Sequence, residues 1–176
     1  MHSAPVRAHT IFVTEYMHPD HAWGHTRAWH ERQYVQSLRE VLELQRSEPG
    51  FRFYIDNYHE EVLPFVRAFP VLLAELRLRL LDGSISVGLC GYSNPRPVDL
   101  LEELLVRNIV MGRKAMTQLC PGVDLSVCAI HDVPPGPAQM PQVLRKCGFA
   151  YFAFSRPVEA MQAKGAAPEF VWRGLD

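Results

Sequence analysis

Apolar residues fall along this chain in two alternating rhythms. Ile11, Phe12 and Val13 make a short unbroken apolar run, which predicts a strand over residues 9–16 buried on both faces. From 27 to 47 the spacing becomes helical, with Val35, Leu38 and Leu42 on one stripe and Tyr34, Val41 and Leu44 beside it. Pro49-Gly50 closes that helix. Residues 51–55 read as a second strand. After it, Val62, Leu63, Val66, Phe69, Leu73, Leu76 and Leu80 form a helical stripe broken at Pro70, either one kinked helix or two short ones.

The alternation continues. Asp82-Gly83 turns the chain into a third strand at 85–89, and a proline-containing polar loop at 91–97 leads to a helix. Leu101, Leu104, Leu105, Ile109 and Ala115 are expected on its apolar face, with Asp99, Glu102 and Glu103 early and Arg107, Arg113 and Lys114 late, as the helix dipole prefers. Pro121-Gly122 ends it, and 123–130 is a fourth strand that delivers His131 and Asp132 at its C-terminal end. Residues 139–146 predict a short helix with Met140, Val143, Leu144 and Cys147 inward and Gly148 as its cap. A fifth strand at 149–154 runs into Arg156, a short helix follows at 158–163, and Phe170-Val171-Trp172 reads as a sixth strand.

Six strands alternating with helices predict an α/β fold with a parallel sheet and right-handed crossovers, doubly wound or rolled toward a barrel. In both arrangements chemistry gathers at the C-terminal ends of the strands. His18, Asp20, Asp56, Asp132 and Arg156 all fall on that rim. A GxGxxG or P-loop segment, which would mark a nucleotide site, is missing from the sequence.

Composition narrows the classes. At 176 residues with 48% apolar and 21% charged content, the chain reads as one globular domain over 1–176. A net charge of -1 gives no footprint for nucleic acid or an anionic membrane. With neither a signal-type apolar segment near Met1 nor a run of membrane-spanning length, a soluble cytoplasmic protein is expected. Cys90, Cys120, Cys128 and Cys147 form no CxxC pair and sit in apolar stretches, which favours buried free thiols.

The candidate chemistry starts at His18-Pro19-Asp20-His21-Ala22-Trp23. A histidine and a carboxylate two residues apart point to one side of an extended segment, so both can reach one divalent ion. A polar turn with Asp20 as helix cap is the plainer alternative. His21 and His25, four apart, form a rival pair without the acid of an HExxH motif. Asp56 stands at the end of strand two without motif support, and His30, His59 and His131 are unassigned.

Four stretches, HPDHAW, ELLVRNIVMGRK, HDVPPGPAQMPQVLRKCGF and FVWRGLD, resemble in order and spacing the motifs of the glycoside hydrolase family 38 catalytic domain, the family of α-mannosidases. The resemblance spans about residues 11–176, and the aspartate followed by QMPQVL and a glycine is its most specific part. It implies a seven-stranded (β/α) barrel, here incomplete at about six units, acting on α-mannosides or related glycosides. It also implies a zinc ion held by His18, Asp20 and Asp132, with Asp132 as nucleophile, Trp23 as the platform for the sugar and Arg156 near the substrate.

A retaining glycosidase needs one carboxylate to attack the anomeric carbon and a second carboxyl to protonate the leaving oxygen. In the family, the fourth zinc ligand and that second carboxyl lie beyond the length of this chain. The chain therefore reads as an N-terminal piece whose open barrel edges favour self-association. Val133-Pro134-Pro135-Gly136-Pro137, where better-known members carry an aromatic and a glycine, implies a differently shaped pocket wall. The alternatives are a non-catalytic carbohydrate-binding or remnant domain, and a metal-dependent polysaccharide deacetylase on a similar incomplete barrel.

Overall fold

A computed structural model describes residues 11–20 and 23–174. Residues 9 and 10 of the expected first strand, and His21, lie outside them. The helical spacing of 27–47 becomes α1, Arg27–Ser47, capped by the Thr26 hydroxyl, which accepts from Trp29 N–H. Its buried stripe runs His30, Tyr34, Leu38, Val41, Leu42 and Gln45. Three parallel strands follow one another in space: β1 (Glu15–Tyr16), β2 (Phe53–Ile55) and β3 (Ile85–Val87). A parallel bridge from Gly88 to Val127 continues the sheet into β4 (Val127–Ile130), which pairs with β5 (Tyr151–Phe154).

The spatial order is therefore the sequence order, 1-2-3-4-5, without the reversal that defines a doubly wound sheet. The fold is α/β with parallel strands, as expected; these are five short strands in two sheets joined by one bridge, and no closed barrel forms among the described residues. The sheet also curls. In a flat sheet the ends of β1 and β4 would stand about 14 Å apart, three strand spacings. Yet His18, just past β1, and Asp132, just past β4, bring Nε2 and Oδ2 within 4.0 Å.

The broken stripe after β2 resolves into several pieces. A π-helical turn, Tyr58–Val62, runs into α2 (Leu63–Ala68), and a 3₁₀ turn at Pro70–Leu72 leads into α3 (Leu73–Leu81). Pro70 lacks the N–H to continue α2, which ends at Ala68. After β3 come α4 (Glu102–Leu119), α5 (Met140–Lys146) and α6 (Val158–Ala163). Gly148 closes α5 at φ 86, a left-handed conformation that glycine adopts without strain.

The core between helices and sheet is built on Leu38, Leu42, Ile55, Phe65, Leu76, Ile85, Ile109 and Met116, all below 2% exposed. Cys90, Cys120 and Cys128 are buried free thiols, and Cys147 is half-buried.

Three expectations are corrected. Only Glu15–Tyr16 of the first strand pairs, and Ile11, Phe12 and Val13 are exposed, Phe12 at 92%. Ile11, Phe12 and Val13 precede the paired residues of β1, and no element among the described residues covers them. On α4 the buried face is Leu105, Ile109, Gly112 and Met116, while Leu101 and Leu104 are exposed. That rotation is set by a close approach: a Cβ at Gly112 would overlap the Gly91 carbonyl group, and Asn108 bonds Ser93 through both N–H (3.0 Å) and C=O (2.9 Å). Finally, residues 170–172 form no strand. They lie against β5 through rings instead, Trp172 stacking on Phe152 at 6.0 Å and Phe170 meeting Phe154 edge-on at 6.1 Å. No helix among the described residues is long and apolar enough to cross a membrane.

Candidate active site

The loop that leaves β1 is gripped from below by one face of α1. Tyr34, one turn beyond His30, donates its hydroxyl proton to the Asp20 carbonyl, and His30 Nε2 lies 3.1 Å from the Trp23 carbonyl. His30 Nδ1 and Tyr34 Oη are 3.1 Å apart, so the two grips lie side by side; with the tyrosine proton given to Asp20, this contact is a hydrogen bond when Nδ1 also carries a proton. A carbonyl only accepts, so His30 carries a proton on Nε2. These bonds fix the backbone at 20 and 23 and so place the Asp20 and Trp23 side chains. Periodicity had put Tyr34 on the inward stripe but left His30 without a role; its i, i+4 spacing to Tyr34 was the available signal.

At the rim, His18 Nε2 faces two carboxylates, Asp20 Oδ1 at 3.6 Å and Asp132 Oδ2 at 4.0 Å. The other ring nitrogen, Nδ1, lies 3.9 Å from Asp56 Oδ2. Asp56 raises the His18 pKa above its ordinary value, partial burial opposes the rise, and Asp20 and Asp132 add to it. Asp132 occupies a left-handed backbone conformation, φ 60, which aspartate tolerates better than most side chains. Its N–H donates to Ser155 Oγ at 2.9 Å, and Arg156 Nη2 donates to its Oδ1. The turn after β4 is thus fastened to the segment after β5.

His18, Asp20, Asp132 and Arg156 are therefore brought together from three strand ends. Trp23 is tied in only through its backbone, and the residue is 78% exposed, outside the core. Asp20 does not cap α1; Thr26 does. Of the rival histidine pair, His25 stacks on Trp29 with centroids 4.0 Å apart, and His21 lies outside the described residues.

Below the rim, Glu61 Oε2 accepts the N–H groups of Asp56 (2.8 Å) and Asn57 (2.9 Å), and burial pushes the Glu61 pKa well up, with Asp56 adding to the rise. The Asn57 side chain caps the π-helical turn by accepting from Glu60 N–H at 2.9 Å. No motif marks this support in the sequence.

An imidazole between two carboxylates is the right donor set for a zinc ion. Ligand atoms about 2.0–2.2 Å from one ion stand at most about 4 Å apart, and the two separations at His18 Nε2 fall within that span. Among the described residues, however, no group of three or more His, Cys, Asp or Glu side chains is placed to hold a metal ion together. Arg156 holds one of the Asp132 oxygens.

Two solved structures share this fold. One is a protein in the Glycosyl Hydrolase Family 38 from Enterococcus faecalis, with TM-score 0.68 and 18% identity over 81% of this chain and 16% of that one. The other is an alpha-mannosidase from Enterococcus faecalis V583, with TM-score 0.64 and 19% identity over 73% of this chain and 14% of that one. The chain thus spans only a small part of their length. A search of curated proteins finds no match. Residues 8–176 match the N-terminal domain of the glycosyl hydrolases family 38, nearly the whole chain, and the chain belongs to that family.

Proposed function

We propose that this chain carries the nucleophile half of a zinc-dependent, retaining glycoside hydrolase site of α-mannosidase type, within a (β/α) barrel of the seven-stranded kind. The observation that carries the reading is the meeting of His18 Nε2 with Asp20 and Asp132 across a curled sheet, from strands that are not neighbours. Family membership and the sequential strand order support it.

His18, Asp20 and Asp132 would hold the ion. When bound, zinc supplies a Lewis acid that grips sugar hydroxyls and supports ring distortion. Asp132 does the covalent chemistry: one carboxylate oxygen bonds to the anomeric carbon as the glycosidic C–O bond breaks, and water later hydrolyses the glycosyl ester. Arg156, on the same carboxylate, fixes its orientation, and its spare guanidinium N–H groups can donate to sugar hydroxyls. Trp23 offers an exposed indole face to the apolar side of a pyranose. The proton for the leaving oxygen must come from a second carboxyl.

The test pairs zinc content with turnover of an aryl α-mannoside in the parent, His18→Ala and Asp132→Asn. Loss of zinc in His18→Ala, and loss of hydrolysis in Asp132→Asn, are expected. Equal zinc in all three removes the metal site. Zinc bound through His18 with no turnover in the parent leaves a carbohydrate-binding domain of the same fold.

A further inference from the structure

Asp56 is the most buried carboxylate at the rim, 2% exposed, and the reading above gives it no part. Its main chain is fully engaged: the N–H donates to Glu61 Oε2 at 2.8 Å and the C=O accepts from Cys90 N–H at 3.1 Å. The capping tasks of the turn that follows are already done by Asn57 and Glu61. The Asp56 side chain is therefore held rigidly and is not needed to close the turn.

What it faces is two imidazoles. Oδ2 stands 3.9 Å from His18 Nδ1, and Oδ1 stands 3.7 Å from His131 Nε2. His18 Nδ1 and Asp56 Oδ1 are both buried without a hydrogen-bond partner, which in a folded protein costs about 1–3 kcal/mol per group until a partner closes on it. His131 is boxed in by the rings of Tyr16 and Tyr54, at 5.1 and 5.8 Å, and it directly precedes Asp132. The Tyr54 hydroxyl reaches the Gly88 carbonyl at 3.2 Å and also lies within hydrogen-bonding reach of the Asp56 carboxylate.

We propose that Asp56 is the positioning residue of this half-site, one buried carboxylate that orients both His18 and His131. Its oxygens hold His18 in the Nδ1–H tautomer, so that Nε2 turns its lone pair toward the space between Asp20 and Asp132. They hold His131 in the opposite, Nε2–H tautomer, which anchors the residue next to Asp132. A histidine that binds a metal through one nitrogen commonly donates its other N–H to a carboxylate, which fixes the ring and raises its basicity. Here the same acid serves the ends of β1 and β4, so it couples the two chain segments that carry the proposed ligands. This inference rests on the metal reading for its consequence and on geometry alone for its cause.

Two readouts keep these apart. Nitrogen-15 NMR of the histidine side chains in the metal-free protein, recorded at alkaline pH, should show His18 as Nδ1–H and His131 as Nε2–H. In Asp56→Asn both preferences should be lost, and zinc affinity measured by chelator competition should fall about 10- to 100-fold, with the circular dichroism spectrum unchanged. His18 found as the Nε2–H tautomer in the parent overturns the proposal, even if Asp56→Asn does not fold. So does an Asp56→Asn protein with parental tautomers and zinc affinity. If the parent and His18→Ala take up zinc equally, the metal reading fails, and the tautomers still decide whether Asp56 positions the rings.

Discussion

The two sides of the rim are built differently. On the β1–β2 side every candidate group is backed by a buried layer: Asp20 and Trp23 by the His30–Tyr34 grip, His18 by Asp56, and Asp56 by Glu61. On the β4–β5 side Asp132 and Arg156 stand 53% and 61% exposed; their side chains pair with each other, and the Asp132 backbone is held by Ser155 and by its neighbour His131, which faces Asp56. One side is preorganised and the other is open. Under the proposed function the difference assigns tasks: rigidity where an ion would be held, exposure where the proposed nucleophile would meet a sugar.

The largest blow to that contrast falls on the support of the closed side. Leu42 lies on α1, fully buried on the same stripe as His30 and Tyr34. Leu42→Ala should cost about 2–5 kcal/mol, read by chemical denaturation. Phe152→Ala, at a half-buried position of β5, should cost clearly less. Equal losses would mean that the two sides are equally packed.

A smaller and more local change is Tyr34→Phe, which leaves the Asp20 carbonyl and the His30 ring short of a partner. A loss of about 1–3 kcal/mol is expected, and zinc should bind more weakly because Asp20 is no longer held. Parental zinc affinity at reduced stability would show that the grip serves the fold alone.

The smallest effect on stability should come from Arg156→Ala. An exposed ion pair contributes under about 1 kcal/mol, so thermal unfolding should barely move. Turnover should nevertheless fall, because Asp132 loses the group that orients it. A large drop in unfolding temperature would show that the open side is held together more firmly than its exposure indicates.

The outer edges that no strand pairs among the described residues belong to the same comparison. Beside β1, Phe12 and Val13 are exposed, and beside β5, Tyr151 and Val171. Such edges invite pairing with another chain, and concentration-dependent elution in size-exclusion chromatography is the expected result.

Much of the frame was legible in the residues. The bounds of α1 follow from spacing and from Pro49-Gly50, those of α6 from spacing, and the apolar run before Asp132 puts it at a strand end. The misreadings share one cause. Local hydrophobicity says that a segment is apolar, and only neighbours decide whether it is covered. Ile11–Val13 have no covering element among the described residues, residues 170–172 lie on rings but join no ladder, and α4 is turned by the backbone approach at Gly112.

The site divides along the same line. The sequence by itself determined which residue types reach the C-terminal rim, because alternation of strand and helix places His18, Asp20, Asp56, Asp132 and Arg156 there in any parallel arrangement. Only the tertiary structure decided which of them meet. The curl of the sheet brings strand ends three places apart within 4.0 Å, and burial turns Asp56 from an unexplained acid into the group behind two histidines. Distances across a sheet depend on its curvature, a property of all the strands together that no single stretch of sequence contains.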